Sequence, residues 1–319
     1  MGSLYNEVGV FSGNANPALA LAVCEYINIP QGRAQVFEFS NENIFCKIEE
    51  SVRGNDIYVI QPLSTPVNRS IMELLIMIDA FKRASAGRIT AVVPYYAYGR
   101  TDKKDQPRVP ITARLLADMI TVAGAHRLMT VDLHSGQIEG FFNIPVDNLT
   151  AIHILADYFK DKGLDNPVVV SPDLGSAKRA RNFAQLINAP LAIVEKRRMG
   201  NDDRSSVLNL IGSVEGKQAI LIDDEIDTAG SITQAADTVK KAGATAVYAG
   251  CVHAVLSGPA VQRLKDSCIE ELVLTDTIPL QATKQLDKIK VISIARLLGE
   301  GIMRVHSGAS VGAMFPKWK

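Results

Sequence analysis

The residues best suited to do chemistry form a run of nine, 223–231, which reads Asp-Asp-Glu-Ile-Asp-Thr-Ala-Gly-Ser. Its first five positions carry four carboxylates, which suit sugar hydroxyls or a metal ion and repel phosphate. Its last four positions place the hydroxyls of Thr228 and Ser231 at the predicted start of a helix, where backbone N–H groups favour a phosphate. A sugar phosphate matches both ends of the run. The alternative, an acidic N-cap on a solvated helix, is less favoured because the run directly follows an apolar strand.

A second polar segment, residues 98–108, is basic. It carries four Lys or Arg side chains between Arg100 and Arg108. A nucleoside triphosphate needs such groups to offset its charge, whereas the alternative for a charged run of this kind is a solvated loop.

Two further side chains lie just after predicted strands. His134 in such a position is a candidate metal ligand or acid–base group, although a lone histidine is more often structural. Asp173 precedes a Gly-Ser pair that opens a helix, so its carboxylate can bind Mg²⁺ and the turn can receive phosphate oxygens.

The elements that must position these groups are visible as short apolar runs. Strands buried on both faces are predicted over 57–60, 91–93, 128–131, 168–170, 219–222 and 246–249. They alternate with helices predicted over 70–84, 112–123, 151–162, 176–187 and 231–242. This alternation predicts an α/β protein with parallel sheets, in which ligands bind outside the carboxyl ends of the strands. The polar segments all follow strands and therefore belong to that edge.

The chain also repeats itself. Ile-Asn-x-Pro occurs at 27–30 and 187–190, and Ser-Val-x-Gly occurs at 51–54 and 213–216, so both offsets are close to 160. We predict a duplicated α/β unit, with one domain over 1–149, a second over 150–319, and the last twenty or so residues packing back on the first domain. In the first copy the loop equivalent to 223–231 is 61–66, which has no carboxylate.

Composition excludes several classes of protein. The 319 residues are 47% hydrophobic, and 34 basic residues balance 34 acidic ones, so neither a disordered chain nor a dedicated nucleic-acid binder is expected. The four cysteines are too widely spaced for a Cys-x-x-Cys pair or a zinc knuckle. There is no signal-peptide pattern, no apolar stretch long enough to span a bilayer and no Walker A sequence. We expect a cytoplasmic protein without membrane partners.

The run 223–231 resembles the phosphoribosyl-pyrophosphate (PRPP) signature shared by type I phosphoribosyltransferases and PRPP synthetases. Because most phosphoribosyltransferases have one such unit, the duplication favours the synthetases. Arg-Thr-Asp-Lys-Lys at 100–104, Asp-Leu-His at 132–134 and Ser-Pro-Asp at 171–173 are similar, in this order, to class I ribose-phosphate diphosphokinases. The resemblance runs from about Val10 to the end of the chain. It implies two duplicated type I phosphoribosyltransferase domains, each a central, mainly parallel sheet flanked by helices.

The resemblance also implies a Mg²⁺-dependent reaction. The β,γ-diphosphoryl group of ATP would pass to the 1-hydroxyl of ribose 5-phosphate, giving PRPP and AMP for purine, pyrimidine, NAD, His and Trp biosynthesis. Inorganic phosphate as activator and ADP as inhibitor are implied at a site between subunits, where Arg108 and Ser310 match. An oligomer, hexameric as in related enzymes, is implied as well, because residues 39–43 match a loop that completes the adenine pocket of a neighbouring subunit.

Residue roles follow from the same resemblance. The ribose 5-phosphate site would comprise Asp223, Asp224, Asp227, Thr228, Ala229, Gly230 and Ser231. Mg²⁺ would be bound by His134 and Asp173, and ATP by Phe39, Asn41, Glu42, Asn43, Arg100, Thr101, Asp105 and His134. Lys196 and Arg198 would be the catalytic cations at the start of a flexible loop whose segment 199–206 closes as a lid.

The sequence departs from the family at two sites. Asn43 and Thr101 replace a usual Glu and a frequent Gln at the ATP site, while Gly136 and Gly312 stand where relatives often carry Ser at the regulatory site. Two alternatives stay open. A phosphoribosyltransferase would not need ATP, and a catalytically silent partner subunit would be expected to lose the catalytic loop, whose Lys196 is present here.

Overall fold

Two sheets built by successive halves of the chain form the framework of the protein. The computed structural model describes residues 5–198 and 206–315, with the side chains of 196–198 and 206–208 left out. The first half contains β1 (Val8–Ser12), α1 (Pro17–Ile27), β2 (Ala34–Glu38), β3 (Ile44–Ile48), β4 (Asp56–Ile60), α2 (Val67–Arg83), β5 (Arg88–Val93), α3 (Thr112–Ala123), β6 (Arg127–Val131) and β7 (Val146–Leu149).

The second half follows the same plan and ends in one further helix. It contains α4 (Ile152–Lys162), β8 (Pro167–Ser171), α5 (Ala177–Ile187), β9 (Leu191–Arg198), β10 (Ser206–Ile211), β11 (Gln218–Ile226), α6 (Gly230–Lys241), β12 (Ala246–Ala254), α7 (Ala260–Asp266), β13 (Glu271–Thr275), β14 (Ile289–Ile292) and α8 (Ala295–Ser307). Short 3₁₀ turns cover Gly136–Phe141, Ala282–Lys284 and Val311–Met314. Within the described ranges, no helix is long and apolar enough to cross a membrane.

The strand order confirms the predicted α/β class. In the described part of the chain, the first sheet has the order β1-β4-β5-β6-β7, and every pairing in it is parallel. The second has the order β10-β9-β8-β11-β12-β13-β14, parallel except for the β9–β10 hairpin. All five residues of β4 are buried, as expected of a parallel strand covered by helices on both faces.

The duplication is visible in the pairing of equivalent strands. β4 lies between β1 and β5 in the first sheet, and β11 lies between β8 and β12 in the second. A hairpin precedes each of these central strands: β2–β3 forms a separate two-stranded sheet, whereas β9–β10 joins the second sheet through β8. The domain boundaries at 1–149 and 150–319 remain a prediction.

Helix α4, which follows the first sheet, packs within the second half of the chain, whereas α8, which follows the second sheet, packs on the first half. The ring of Phe159 in α4 lies 6.1 Å from that of Phe183 in α5. In turn α8 packs against α1 so closely that a Cβ on Gly299 would lie 2.5 Å from the Tyr26 ring. Consequently one buried cluster contains apolar side chains of α1, α4, α5, α8 and both sheets. This shared layer, rather than a linker, joins the two halves.

A buried polar cluster ties α8 to the first sheet. Asp56 in β4 is fully buried and accepts hydrogen bonds from Arg88 Nε at 2.7 Å and from the Tyr58 hydroxyl at 2.9 Å. His306 Nδ1 of α8 lies 2.9 Å from the same carboxylate, and Arg88 also donates to the Val305 carbonyl at 3.1 Å. These contacts fix the end of the second half of the chain on the first half.

Candidate functional site

The two halves meet at an open cavity of about 700 Å³ formed at the carboxyl ends of their strands. Most of the residues predicted for substrate and metal binding line it, namely Arg100, His134, Asp173, Asp223, Asp224, Asp227, Thr228, Ala229, Gly230 and Ser231. Arg100 and His134 come from the first half, and the others come from the second. The structure therefore brings into one space side chains that lie up to 131 positions apart in the sequence.

Other predicted residues lie elsewhere in the described chain. Phe39, Asn41, Glu42 and Asn43 occupy the exposed turn of the β2–β3 hairpin and do not line the cavity. The rings of Phe37, Phe39 and Phe45 pack against one another there, with centroids 5.0 to 5.9 Å apart, and all three are partly exposed. The predicted contact of this hairpin with a second subunit cannot be formed within one chain and stays a prediction.

The remaining predicted residues fall into three groups. Thr101 and Asp105 are close to Arg100 in sequence, but they are exposed and do not line the cavity. Arg108 and Ser310, predicted for regulation, are exposed as well. The side chains of Lys196 and Arg198 lie outside the described residues, and so does most of the predicted lid segment.

The strand that carries the carboxylates is longer than predicted. Instead of ending at Ile222, β11 continues to Ile226, because β12 extends beside it and pairs Glu225 with His253 and Ile226 with Ala254. Asp223, Asp224 and Glu225 therefore lie on a paired strand and not in the loop. A strand holds side chains more rigidly than a loop does, which favours a preorganised site.

Asp224 is the centre of the acidic end of the cavity. It is nearly buried, and its two carboxylate oxygens contact the Arg179 guanidinium at 2.7 Å and His134 Nδ1 at 2.8 Å. Burial alone would raise the pKa of Asp224, but the hydrogen bond with His134 and the charge of Arg179 hold this pKa well below its usual range. The hydrogen bond to Asp224 in turn raises the pKa of His134. Asp224 is therefore charged, and its contact with Nδ1 fixes the orientation of the His134 ring.

Asp223 has a different environment although it is the neighbouring residue. Its Oδ1 accepts hydrogen bonds from the Ser176 hydroxyl at 2.8 Å and from the Asp224 backbone N–H at 2.9 Å, and Arg179 lies 3.8 Å away. Burial and the adjacent Asp224 carboxylate raise the pKa of Asp223. Two adjacent carboxylates thus have their proton affinities shifted in opposite directions by their surroundings.

Arg100 bridges the two halves at the mouth of the cavity. Its guanidinium contacts Glu225 Oε1 and Asp227 Oδ2, both at 3.1 Å. Burial raises the pKa of Glu225, partly offset by Arg100. Burial and Glu225 together raise the pKa of Tyr95. Arg100, the first cation of the basic loop predicted to offset triphosphate charge, therefore pairs with the acidic segment of the second half.

The other end of the cavity has the features of a phosphate site. Ala229 adopts a left-handed backbone, with φ of 60°, immediately before α6 begins at Gly230. Such a conformation is costly for a residue with a Cβ, and it turns successive N–H groups toward one point at a helix N-terminus. The carboxylate of Asp227 accepts from the Ser257 hydroxyl, and Arg263 donates to the Thr228 carbonyl at 3.0 Å, so the turn is braced from outside.

The donors around His134 and Asp173 fit a Mg²⁺ site completed by substrate. Among the described residues, no group of three or more His, Cys, Asp or Glu side chains could hold a metal ion. Mg²⁺ commonly takes one or two carboxylates together with substrate phosphates and waters, which does not require an all-protein cage. Asp173 Oδ1 accepts from the Ser176 N–H at 2.8 Å, so this carboxylate is oriented at the cavity wall.

Sequence inspection missed Arg179, Ser176 and Tyr95. A signal for Arg179 was available, because it lies four residues before the buried Phe183 and so shares the apolar face of α5. A cation on the buried face of a helix needs a buried anion, and the nearest candidates were the carboxylates after the neighbouring strand. Nothing in the sequence distinguished Tyr95 from other hydroxyl residues, and Ser176 stood out only as part of the Gly-Ser pair that opens a helix.

In the first half, the equivalent end of β4 is filled by the chain itself. The Gln61 side chain accepts from the Ala15 N–H at 3.1 Å and donates to Glu73 at 2.8 Å, and Glu73 also accepts from the Asn14 amide at 2.8 Å. Gln61 and Glu73 are buried. The first copy therefore lacks the acidic ligands and also fills the space that a ligand would need.

Comparisons with known proteins agree with these observations. A family model described as the N-terminal domain of ribose phosphate pyrophosphokinase matches residues 8–124, and a phosphoribosyl synthetase-associated domain matches 199–316. The chain is 55% identical over 311 residues to a ribose-phosphate pyrophosphokinase of Caldanaerobacter subterraneus subsp. tengcongensis, covering 97% of this chain and 98% of that protein. A Clostridium perfringens relative of the same name is 52% identical over 312 residues, again covering 97% and 98%.

A solved structure confirms the predicted pair of phosphoribosyltransferase-type domains. The phosphoribosylpyrophosphate synthetase of Mycobacterium smegmatis superposes with a TM-score of 0.90 at 41% identity, covering 95% of this chain and all of that one. The relatives match nearly full length on both sides, and the structural match extends over both halves of the chain. The chain belongs to the ribose-phosphate pyrophosphokinase family.

Proposed function

We propose that this protein is a ribose-phosphate diphosphokinase, a transferase that moves the β,γ-diphosphoryl group of ATP to the 1-hydroxyl of ribose 5-phosphate. PRPP and AMP would be the products. The observation that carries the proposal is the cavity in which a buried acidic end and a helix N-terminus are separated by only a few residues of one chain segment. The similarity over nearly the full length, at 55% and 52% identity, to two ribose-phosphate pyrophosphokinases supports it.

The binding of ribose 5-phosphate follows from the two ends of the cavity. The carboxylates of Asp223 and Asp224 would accept hydrogen bonds from ring hydroxyls, because charged acceptors form strong hydrogen bonds with such donors. The 5-phosphate would bind the backbone N–H groups of residues 228–231 at the start of α6, where the helix dipole favours an anion. The site is specific for a sugar phosphate because the carboxylates at one end repel phosphate, and the backbone N–H groups at the other end favour an anion over a hydroxyl.

The transfer step mainly requires positively charged groups held at fixed positions around the transferring group. The O1 oxygen of the sugar attacks the β-phosphorus of ATP, the bond from that phosphorus to the α,β-bridging oxygen breaks, AMP leaves, and the hydroxyl proton is released. Negative charge spreads over the oxygens of the moving group, so fixed cations can supply most of the stabilisation. Lys196 and Arg198 would supply it from the β9–β10 hairpin, and Arg100 from the other half. When bound, Mg²⁺ would neutralise phosphate charge, with His134 and Asp173 as the residues that would hold it.

The decisive experiment is a product assay. The purified chain, supplied with ATP, Mg²⁺, inorganic phosphate and ribose 5-phosphate, is expected to form AMP and PRPP in equal amounts. Omission of ribose 5-phosphate or chelation of Mg²⁺ should stop AMP formation. A phosphoribosyltransferase would instead consume PRPP without ATP, and a silent partner subunit would form no AMP, so either result overturns the proposal.

We also propose that the enzyme works in the cytoplasm as a homo-oligomer, with the hexamer as the expected state. The partly exposed rings of Phe37, Phe39 and Phe45 support this, because aromatic clusters of this kind are typical of interfaces. Activation by phosphate and inhibition by ADP are part of the proposal, with Arg108 and Ser310 as the regulatory residues. Light scattering on the purified protein, and the product assay repeated with each effector, test these points.

A further inference from the structure

Arg179 is a largely buried cation that lines the cavity beside the acidic strand. It lies in the first turn of α5, where its side chain is 21% exposed. A cation in the first turn of a helix opposes the helix dipole, so the stability of α5 does not account for it. Its contacts are with the acidic strand: Nη1 lies 2.7 Å from Asp224 Oδ1 and 3.8 Å from Asp223 Oδ1.

The two carboxylates are held by three side chains, two from the start of α5 and one from the first half. Asp224 is fixed between Arg179 of α5 and His134 of the first half, and Asp223 is fixed by the Ser176 hydroxyl at the start of α5. Of these partners, only Arg179 reaches both carboxylates. Two adjacent, nearly buried carboxylates repel each other unless a cation lies between them, and a planar guanidinium can serve two acceptors at once.

We propose that Arg179 is the positioning residue of the acidic end of the cavity, holding Asp223 and Asp224 in the orientation that receives the ribose hydroxyls. The inference deepens the proposed function and rests on it. Arg179 acts through the two carboxylates and not on the transferring group. Its loss is therefore expected to weaken the binding of ribose 5-phosphate while leaving the binding of ATP nearly unchanged.

The test compares ligand affinities of five proteins by calorimetry: the parent, Arg179→Gln, Arg179→Lys, Arg179→Ala and the control Arg181→Gln. Arg181 lies two residues further along α5, on another face, and is exposed. For Arg179→Gln we expect the Kd and KM for ribose 5-phosphate to rise about 10- to 100-fold, the range found when partners that orient ligating groups are removed. The Kd for ATP should stay within about twofold in every variant, as expected of a separate site.

Two further measurements separate positioning from a general structural role. Arg179→Lys keeps the positive charge but loses the planar guanidinium that can serve two acceptors. Its ribose 5-phosphate affinity should therefore lie between those of Arg179→Gln and the parent. Millimolar guanidinium added to Arg179→Ala should lower the Kd for ribose 5-phosphate, whereas methylammonium should do less. A structural defect would give neither result. If Arg179→Gln does not fold, Arg179→Lys decides the question by itself.

These measurements distinguish failure of the positioning role of Arg179 from failure of the proposed function. A parent protein that forms no PRPP removes the proposed function, while the ratio of ribose 5-phosphate affinities between parent and Arg179→Lys still tests the positioning role. Unchanged ribose 5-phosphate affinity in Arg179→Gln, or equal losses for both ligands, overturns the positioning role alone. A parent that neither forms PRPP nor binds ribose 5-phosphate overturns both.

Discussion

At the scale of single residues, the acidic end of the cavity is stable because cations compensate its carboxylates. Arg179 and His134 pair with Asp224, and Arg100 pairs with Glu225 and Asp227. Four of these six groups come from the second half and two from the first. The same pairs that stabilise the acidic end of the cavity also hold the halves together at the site, since Arg100 and His134 reach across from the first half.

The catalytic assignment of Lys196 gives the first prediction at this scale. Lys196→Ala removes one placed cation from the transfer step, and kcat is expected to fall about 10²- to 10³-fold, as when a single electrostatic group is lost from an active site. Lys241→Ala, at an exposed position near the end of α6, is the matched control and should keep the parent rate. Steady-state AMP release measures both. Near-parent turnover in Lys196→Ala would contradict the assignment.

The second prediction concerns His253, which links the halves away from the substrates. It is buried, with Nε2 3.1 Å from the Asp132 carbonyl and Nδ1 3.0 Å from the Thr277 hydroxyl. Burial lowers its pKa below the ordinary 6.5, so the folded protein binds fewer protons than the unfolded one between that lowered pKa and 6.5. The free energy of unfolding should therefore fall as the pH decreases below 6.5.

The variant His253→Gln isolates this contribution, because its amide can still donate to the Asp132 carbonyl and does not titrate. Urea unfolding at pH 7.5 and at pH 5.5 is expected to show a smaller difference in the variant than in the parent. Equal differences in the two proteins would mean that His253 is not kept neutral by the fold.

At the scale of elements, the repeat places two hairpins in equivalent positions and gives each a predicted task at the active site. The turn of β2–β3 holds the predicted adenine loop, and the β9–β10 hairpin holds the predicted catalytic cations. A two-stranded hairpin is only marginally stable by itself. The first is supported by Val36, Cys46 and Ile48, which pack against the core of the first half, and the second is supported by the pairing of β9 with β8.

The close contact of α8 with α1 gives a prediction at the element scale. A Cβ on Gly299 would lie 2.5 Å from Tyr26 Cδ1 and 3.0 Å from Ile27 Cγ2, so Gly299→Val should force the helices apart and cost about 1–3 kcal/mol. Gly301→Ala is the matched control, because its Cβ would meet Leu149 and the flexible Met129 no closer than 3.2 Å. Thermal unfolding compares them. Equal stability of the two variants would contradict the packing.

At the scale of the whole molecule, the packing of α8 on the first half and the buried cluster shared by both halves predict cooperative unfolding. Leu298 of α8 is fully buried in the cluster that contains side chains of both sheets. Leu298→Ala is expected to lower the free energy of unfolding by about 2–5 kcal/mol, the usual cost of such a truncation.

Hydrogen exchange locates that loss. Because the core is shared, amides of β4 and β11 should lose protection together in Leu298→Ala, by one transition. Selective loss in β4, with β11 protected as in the parent, would show that the two halves unfold independently.

Much of the architecture was predictable because buried parallel strands and amphipathic helices leave regular patterns. The predicted helix 112–123 coincides with α3, and the predicted strands at 57–60 and 168–170 lie inside β4 and β8. The β2–β3 hairpin and helix α8 were not predicted, although the buried side chains of Leu298, Ile302 and Val305 recur at helical spacing in α8. The predicted end of β11 is too early, because a run of carboxylates lacks the apolar pattern of a buried strand. Only the pairing with β12 shows that the strand continues.

The sequence by itself determined the duplicated α/β plan, the chemistry of the run 223–231 and the loss of that chemistry from the first copy, since these depend on residue type and local spacing. Only the tertiary structure decided which distant groups compensate the buried carboxylates. Arg179 and His134 meet at Asp224 because α5 and the first half converge on the end of β11. Burial makes unpaired charges costly, and burial is a property of the packed halves together, which no local stretch of sequence records.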